Sequence, residues 1–389
     1  MCREAKILLV VSCLFTFAMG LSNIFINIFF WNKTNDFIVI AVYNLMHYIT
    51  TPVAFILAAY FAKKKNGILS LRIGLLIFAL FYLLLLYAGS DGVKYIYLLG
   101  LLYGVAAGFY WLAFNVLSFD FTSIYNRDTF YGYNGASAGI AAAISPITSA
   151  YIISRFEGTL GYKIVFIITL ILFLILIFIS AILKCENYSQ KLNLRRIFFT
   201  DCNQWRVLRK SIISWGFRDV IIIFIINILV IETTQNELTL GKLALLASLI
   251  SSSSYILVQR IIKPPNRRKA ILIGTIGSFL AIGGLIMNVS IWTLLFYVVM
   301  DAFFLPFFII QQNSSVFNII DRNHEEDMRV EYIINKDIAL NTGRIISSII
   351  LIVLLMKFDN FEILKFYLGF IGLAPVISGY FLRKVIQRS

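Results

Sequence analysis

The amino-acid sequence predicts an all-α membrane protein with 12 transmembrane helices arranged as two pseudo-symmetric six-helix bundles. Three observations carry this. Apolar runs extend almost end to end, basic residues collect in alternate connections, and the second half of the chain repeats the first at a fixed offset.

The 389 residues are 60% hydrophobic and only 14% charged, with a mean hydropathy of +0.85. A soluble domain is nearer half apolar and a quarter charged. A spanning helix needs about 20 mostly apolar residues, because lipid cannot satisfy an open backbone. Twelve segments qualify: 6–31, 37–62, 68–90, 94–119, 130–154, 161–183, 211–232, 238–262, 268–289, 291–319, 331–356 and 361–382. Arg3 and Lys6 before the first run resemble the start of a signal peptide, but the run continues to Trp31, too long for a signal core.

The net charge of +14 follows from topology. With the N-terminus inside, 24 of the 34 Lys and Arg fall on the cytoplasmic side and seven on the other, leaving Arg218, Lys336 and Arg344 within the membrane. This is the positive-inside bias. It places both termini in the cytoplasm of a multi-pass cell-membrane protein and makes a nucleic-acid partner unnecessary. The four cysteines, Cys2, Cys13, Cys185 and Cys202, show no paired spacing for disulfides or zinc.

The longest connection, 184–210, is polar and basic. It separates an N-terminal bundle, 1–183, from a C-terminal bundle, 211–389. Adding 200 to a residue number aligns the two over the first helices. Asn27-Ile28 meets Asn227-Ile228, Thr34 meets Thr234, Lys63 and Asn66 meet Lys263 and Asn266, and Ile73-Gly74 meets Ile273-Gly274. Equivalent packing at Asn27 and Asn227 is expected. Two parallel six-helix repeats are a transporter pattern.

At this point the chain resembles the major facilitator superfamily over essentially its whole length, and in particular small uncharacterised members from low-GC Gram-positive bacteria. The family's basic loop between helices two and three, repeated between eight and nine, is similar to Ala62-Lys63-Lys64-Lys65-Asn66-Gly67 and Ile262-Lys263-Pro264-Pro265-Asn266-Arg267-Arg268-Lys269; both loops keep the basic residues and lack the family's Asp. Ala141-x-x-x-Ser145-Pro146-x-x-Ser149-Ala150 resembles the antiporter motif of helix five, with each Gly replaced by another small residue. Gly108 to Asn115 and Leu340 to Arg344 also resemble the family. The resemblance implies alternating access, favours efflux, and places helices three, six, nine and twelve against lipid. Those four carry no ionisable residue at mid-membrane.

Ionisable side chains at membrane depth are costly and mark function. Arg218 and Asp219 lie in the seventh helix, Arg218 about 12 Å beyond Lys210 at 1.5 Å per residue. Asp301 lies near the middle of the tenth. In the eleventh, Asp337, Asn341, Arg344 and Ser348 share one face at spacings of four, three and four. Tyr43 and His47 share a face of the second helix, and Trp111 and Asn115 a face of the fourth. Candidate substrate-binding residues are therefore Tyr43, Trp111, Asn115, Arg218, Asn341 and Arg344. Candidate proton sites are His47, Asp219, Asp301 and Asp337, with Asp301 first and Asp337 next. Arg344 lies fourteen residues past Val330 and thirteen before Lys357, too deep to reach either surface. Asp337, Asp301 or Asp219 is its expected partner. The Gly135-x-x-x-Gly139 spacing suggests close approach of helix five to a neighbour. His324-Glu325-Glu326-Asp327 reads as a solvated turn rather than a metal cluster.

The expected function is secondary active transport of a small solute, proton-coupled, with an amphiphile or organic anion suited to the mixed aromatic and cationic set. A lipid flippase falls within that reading. No Walker motif is present and no cofactor is expected. The protein is expected to act as a monomer with the bilayer and a small-molecule substrate as its partners. The alternatives are a non-transporting receptor or scaffold on the same fold, or a polytopic acyltransferase, for which only His47 and His324 offer an imidazole base.

Overall fold

The computed structural model describes every residue except 123–125, 186–191, 200–201, 221–223, 263, 323–327, 359–361 and 388–389. Among the described residues the chain is helical, without strands. It divides into two compact units, Met1–Asn193 and Leu194–Ser389. Eleven segments of the described residues are long and apolar enough to cross a membrane.

The first unit holds α1 (Arg3–Thr34), α2 (Phe37–Lys64), α3 (Gly67–Ala88), α4 (Ile96–Asp120), α5 (Arg127–Ser154) and α6 (Leu160–Ile182). The second holds α7 (Leu194–Phe198), α8 (Asn203–Val220), α9 (Ile226–Thr234), α10 (Glu237–Ile261), α11 (Arg267–Met287), α12 (Ile291–Arg322), α13 (Arg329–Lys357), α14 (Glu362–Gly372) and α15 (Ala374–Gln387). Two expected spans differ. The 211–232 segment is shared between α8, whose polar first turns begin at Asn203, and α9. The 361–382 segment is broken by a turn at Leu373 between α14 and α15.

The 184–210 stretch also contains structure. Part of it is α7 and the start of α8, tied to α13 by side-chain amide chemistry. Trp205 Nε1 donates to Asn335 Oδ1 at 2.8 Å, and Asn335 Nδ2 donates to the Ile197 carbonyl.

The offset of 200 is legible in the backbone. α1 and α9 both end in a left-handed residue, Asn35 at φ 48° and Gln235 at φ 49°; among the described residues no other non-glycine has positive φ. Each N–H closes the helix, on Trp31 O and Ile231 O. The next residue then caps the following helix: Asp36 Oδ1 accepts from the Ile38 N–H at 2.7 Å, and Asn236 Oδ1 from the Leu238 N–H at 2.9 Å.

Packing repeats as well. In the first unit α1 lies on α5 and α6, α2 on α4, and α3 on α4 and α6; in the second, α8 lies on α13 and α15, α10 on α12, and α11 on α12 and α15. Lipid supplies no hydrophobic drive between helices, so small residues at crossings decide how closely they pack. A Cβ on Gly74 would sit 2.8 Å from the Tyr110 backbone nitrogen, and one on Gly274 2.9 Å from that of Phe308. Phe15 stacks on Tyr110 with centroids 3.3 Å apart, and Trp215, 200 positions after Phe15, stacks on Phe308 at 4.3 Å.

Two expectations about packing fail. Asn27 is 1% exposed and its Oδ1 accepts from Asn44 Nδ2 at 2.9 Å. Asn227 is half-buried, and Ala244 stands where a second Asn44 would be. The repeat preserves backbone and crossings but not this polar contact. A Cβ on Gly135 would meet nothing within 4 Å; the close approach of α5 to α1 lies instead at Ser145 against Gly20.

Candidate functional site

The second unit gathers the ionisable residues into one connected set. Arg218 and Asp219 are consecutive on α8, so their side chains leave the helix about 100° apart and reach different neighbours.

Arg218, 1% exposed, turns toward α12. Its Nη2 pairs with Oδ1 of Asp301, which is 7% exposed. The guanidinium also lies over the Trp215 ring, 4.6 Å from the centroid, and Trp215 is fixed by its stack on Phe308. Among the described residues, Arg218 Nε and the Tyr297 hydroxyl, one turn before Asp301, have no hydrogen-bond partner.

Asp219 turns toward α13. Its Oδ2 accepts from Arg344 Nε at 3.0 Å and from Arg344 Nη2 at 2.6 Å, so the fork converges on one oxygen. Arg344 Nη1 donates to Asn341 Oδ1 at 3.4 Å. Asn341 Nδ2 donates to Asp337 Oδ2 at 3.0 Å. The face read from the 337, 341, 344 spacing is thus a continuous relay along α13. Asp337 is half-buried and makes no ion pair within 4 Å among the described residues. Lys336 projects to α12, where its Nζ donates to Asn313 Oδ1 at 3.1 Å.

Backbone contact makes the Asp219–Arg344 pair possible. A Cβ on Gly343 would stand 3.0 Å from the Gly216 Cα and would collide with the Ile213 carbonyl; one on Gly216 would collide with the Leu340 carbonyl. Only two glycines let α8 and α13 meet this closely. Ser347 Oγ donates to the Phe217 carbonyl at 3.0 Å and holds the same crossing.

The first unit presents aromatic and neutral polar groups at its candidate positions. Tyr43 is buried beside Phe30, at a centroid distance of 5.3 Å, and its hydroxyl has no hydrogen-bond partner among the described residues. His47 meets Tyr103 edge-on at 4.7 Å, and the Tyr103 hydroxyl donates to Asn23 Oδ1 at 2.7 Å. Trp111 is 45% exposed, and Asn115 Nδ2 turns back to the Trp111 carbonyl at 2.8 Å. The shift of 198 that aligns Tyr110 with Phe308 aligns Tyr103 with Asp301. Matching scaffolds therefore carry different chemistry.

Sequence reasoning missed Trp215, Tyr297, Tyr103 and Asn313. Trp215 had a signal, its offset of 200 from Phe15. Tyr297 and Tyr103 lie one turn and one repeat from Asp301. Asn313 had none. The His324 to Asp327 cluster lies outside the described residues. Among those described, no group of three or more His, Cys, Asp or Glu could hold a metal ion.

Comparison with known proteins places this fold. The description "Major Facilitator Superfamily" belongs to the family profile that matches residues 8–332. The Bacillus subtilis protein YqgE is 34% identical over 384 residues, covering 97% of this chain and 89% of its own. A Geobacillus stearothermophilus protein from the sodM 3′ region is 42% identical over 165 residues, covering 42% of this chain and 77% of its own. Both relatives are carried as uncharacterised proteins of Gram-positive bacteria, as the resemblance implied. Among solved structures, a bacterial homologue of the iron transporter ferroportin in an inward-facing state superposes with a TM-score of 0.74 at 13% identity, covering 99% of both chains. The nucleoside transporter NupG superposes with a TM-score of 0.70 at 14% identity, covering 98% of this chain and 100% of its own. At such identities the likeness is one of fold. The chain belongs to the Major Facilitator Superfamily, and it is a membrane transporter rather than an enzyme.

Proposed function

We propose that the protein is a secondary active transporter that carries a small organic anion, or an anionic amphiphile, together with a proton. Two six-helix bundles, 1–183 and 211–389, joined by the basic 184–210 connection, would alternate access across the cytoplasmic membrane as a monomer, with twelve spans and both termini inside. Within the second bundle, Arg344 and Asn341 would contact the substrate; within the first, Tyr43, Trp111 and Asn115 are the candidate contacts. His47 is held in reserve as a proton site.

The observation that carries this reading is the Asp337–Asn341–Arg344–Asp219 relay. Around it, Arg218, Lys336 and Arg344 balance Asp219, Asp301 and Asp337. With all six charged the set is neutral. An anion captured by Arg344 in a low-dielectric site adds one negative charge, and one proton removes it. Asp337 is the carboxylate without an arginine partner, so it takes precedence over Asp301, whose pairing with buried Arg218 suits a structural role. The same balance favours movement of anion and proton in one direction. Efflux rests only on the α5 motif.

The test is a panel of aliphatic and aromatic carboxylates and phosphonates presented to proteoliposomes of the purified protein, read as counterflow. At least one anion should exchange. Arg344→Lys should keep the protein inserted and weaken that exchange by roughly tenfold, because a point charge cannot reproduce the guanidinium fork. Arg344→Ala should abolish it. Normal exchange by Arg344→Ala, or exchange of cationic amphiphiles alone, would overturn the reading.

A further inference from the structure

Outside the charged network, the first unit has a second cationic feature. A pocket of about 420 Å³ is lined by Lys65, Asn66, Ile68, Leu69, Arg72, Leu183, Lys184 and Cys185. It lies where α2 ends, α3 begins and α6 ends. Three of its side chains are cations, and no carboxylate lines it among the described residues.

Each part of the pocket has a distinct character. Ile68 and Leu183 are buried and form an apolar floor, whereas Lys65 and Lys184 are exposed at the rim. Arg72 is anchored between them. Its Nη2 donates to the last-turn carbonyls of α6, Ser180 O at 3.1 Å and Ala181 O at 3.3 Å. Its Nε has no hydrogen-bond partner among the described residues. The guanidinium is thus held in place at the pocket wall, with its Nε buried.

The surfaces below the pocket are apolar. Along α3, Leu76, Leu80 and Leu83 are exposed, and along α6, Phe178 and Ile182. These apolar side chains have no protein covering and run from the pocket into the hydrophobic span. A molecule with a phosphate at the pocket and hydrocarbon below it would satisfy both regions at once. Basic pockets between transmembrane helices at a membrane surface take anionic headgroups in this way.

We propose that Lys65, Arg72 and Lys184 form a binding site for the phosphate of an anionic membrane lipid, with its acyl chains on the exposed faces of α3 and α6. Arg72, on α3 and held against the last turn of α6, binds the phosphate, and the two lysines close over it. Occupancy ties the start of α3 to the end of α6. A free phosphate would share the headgroup chemistry but would gain nothing from the apolar faces.

The test is native mass spectrometry of the purified full chain, with phosphatidylglycerol, phosphatidylcholine and inorganic phosphate added in turn. Phosphatidylglycerol should bind at least tenfold more tightly than phosphatidylcholine. Lys65→Gln/Lys184→Gln, which alters only exposed side chains, should weaken phosphatidylglycerol roughly thirtyfold at unchanged helical content. A control pair remote from the pocket, Lys33→Gln/Lys163→Gln, should leave it within about twofold. Unchanged affinity in the pocket variant, or an equal loss in the control, overturns the proposal. Displacement of the lipid by millimolar inorganic phosphate assigns the pocket to free phosphate and overturns it too.

Discussion

Adjacent side chains on one helix take opposite roles here. Arg218 and Asp219 could have paired with each other by proximity in sequence. The helical rotation between them sends Arg218 to Asp301 and Asp219 to Arg344. The first pair is sealed, and the second is half-buried and linked onward to Asn341 and Asp337. Breaking a sealed pair by removing one partner costs about 3–5 kcal/mol, whereas replacing both with apolar groups is often neutral. Arg218→Met should therefore lower the thermal midpoint in detergent by that order, and Arg218→Met/Asp301→Leu should recover most of it. Failure of the double variant to recover would give Arg218 and Asp301 a working role rather than a structural one. The sequence showed which residues were exceptional, because charge at membrane depth is expensive and so rare. It left the pairing open, since three carboxylates were equally possible partners for Arg344. The choice depends on helix rotation and crossing distance, neither of which is written in residue spacing.

At the scale of elements, that choice rests on a glycine contact between α8 and α13. Gly216 and Gly343 meet without intervening side chains, three residues before Asp219 and one before Arg344. A Cβ at Gly343 must push the helices apart, at a cost of roughly 1–3 kcal/mol. Gly343→Ala should lower the thermal midpoint and reproduce the transport loss of Arg344→Ala, although no charge is altered. Gly135→Ala, which adds a methyl group where nothing lies within 4 Å, should be silent in both measurements. Equal effects of the two substitutions would remove the crossing as the device that sets the ion pair. Helix positions were largely legible because length and hydropathy fix a span. The exceptions have local causes. The expected 211–232 span is divided between α8, whose polar first turns from Asn203 precede it, and α9, and the final span turns at Leu373 between α14 and α15. Gly135 misled because a small-residue spacing marks a possible approach without saying which neighbour is present.

Across the whole molecule, one scaffold is used twice with different contents. The left-handed turns at Asn35 and Gln235, the aromatic stacks and the Gly74 and Gly274 crossings repeat. The chemistry does not: Tyr103 faces His47 and Asn23 in the first unit, and the aligned Asp301 faces Arg218 in the second. The offset of 200 was visible because turns and small residues constrain the backbone. The divergence of function was visible only as the uneven distribution of charge. Orientation can be checked directly. In a background with the four native cysteines replaced by serine, Lys33→Cys should react with an impermeant thiol reagent in intact cells, and Lys65→Cys only after permeabilisation. The opposite pattern would invert the topology. The most direct test of proton-coupled anion transport through the second unit is accumulation of an exchanged anion in proteoliposomes under an imposed pH gradient, comparing wild type with Asp337→Asn. The predicted result is uphill accumulation by wild type, and by Asp337→Asn only equilibration with exchange retained. Uphill accumulation by Asp337→Asn equal to that of wild type would contradict it.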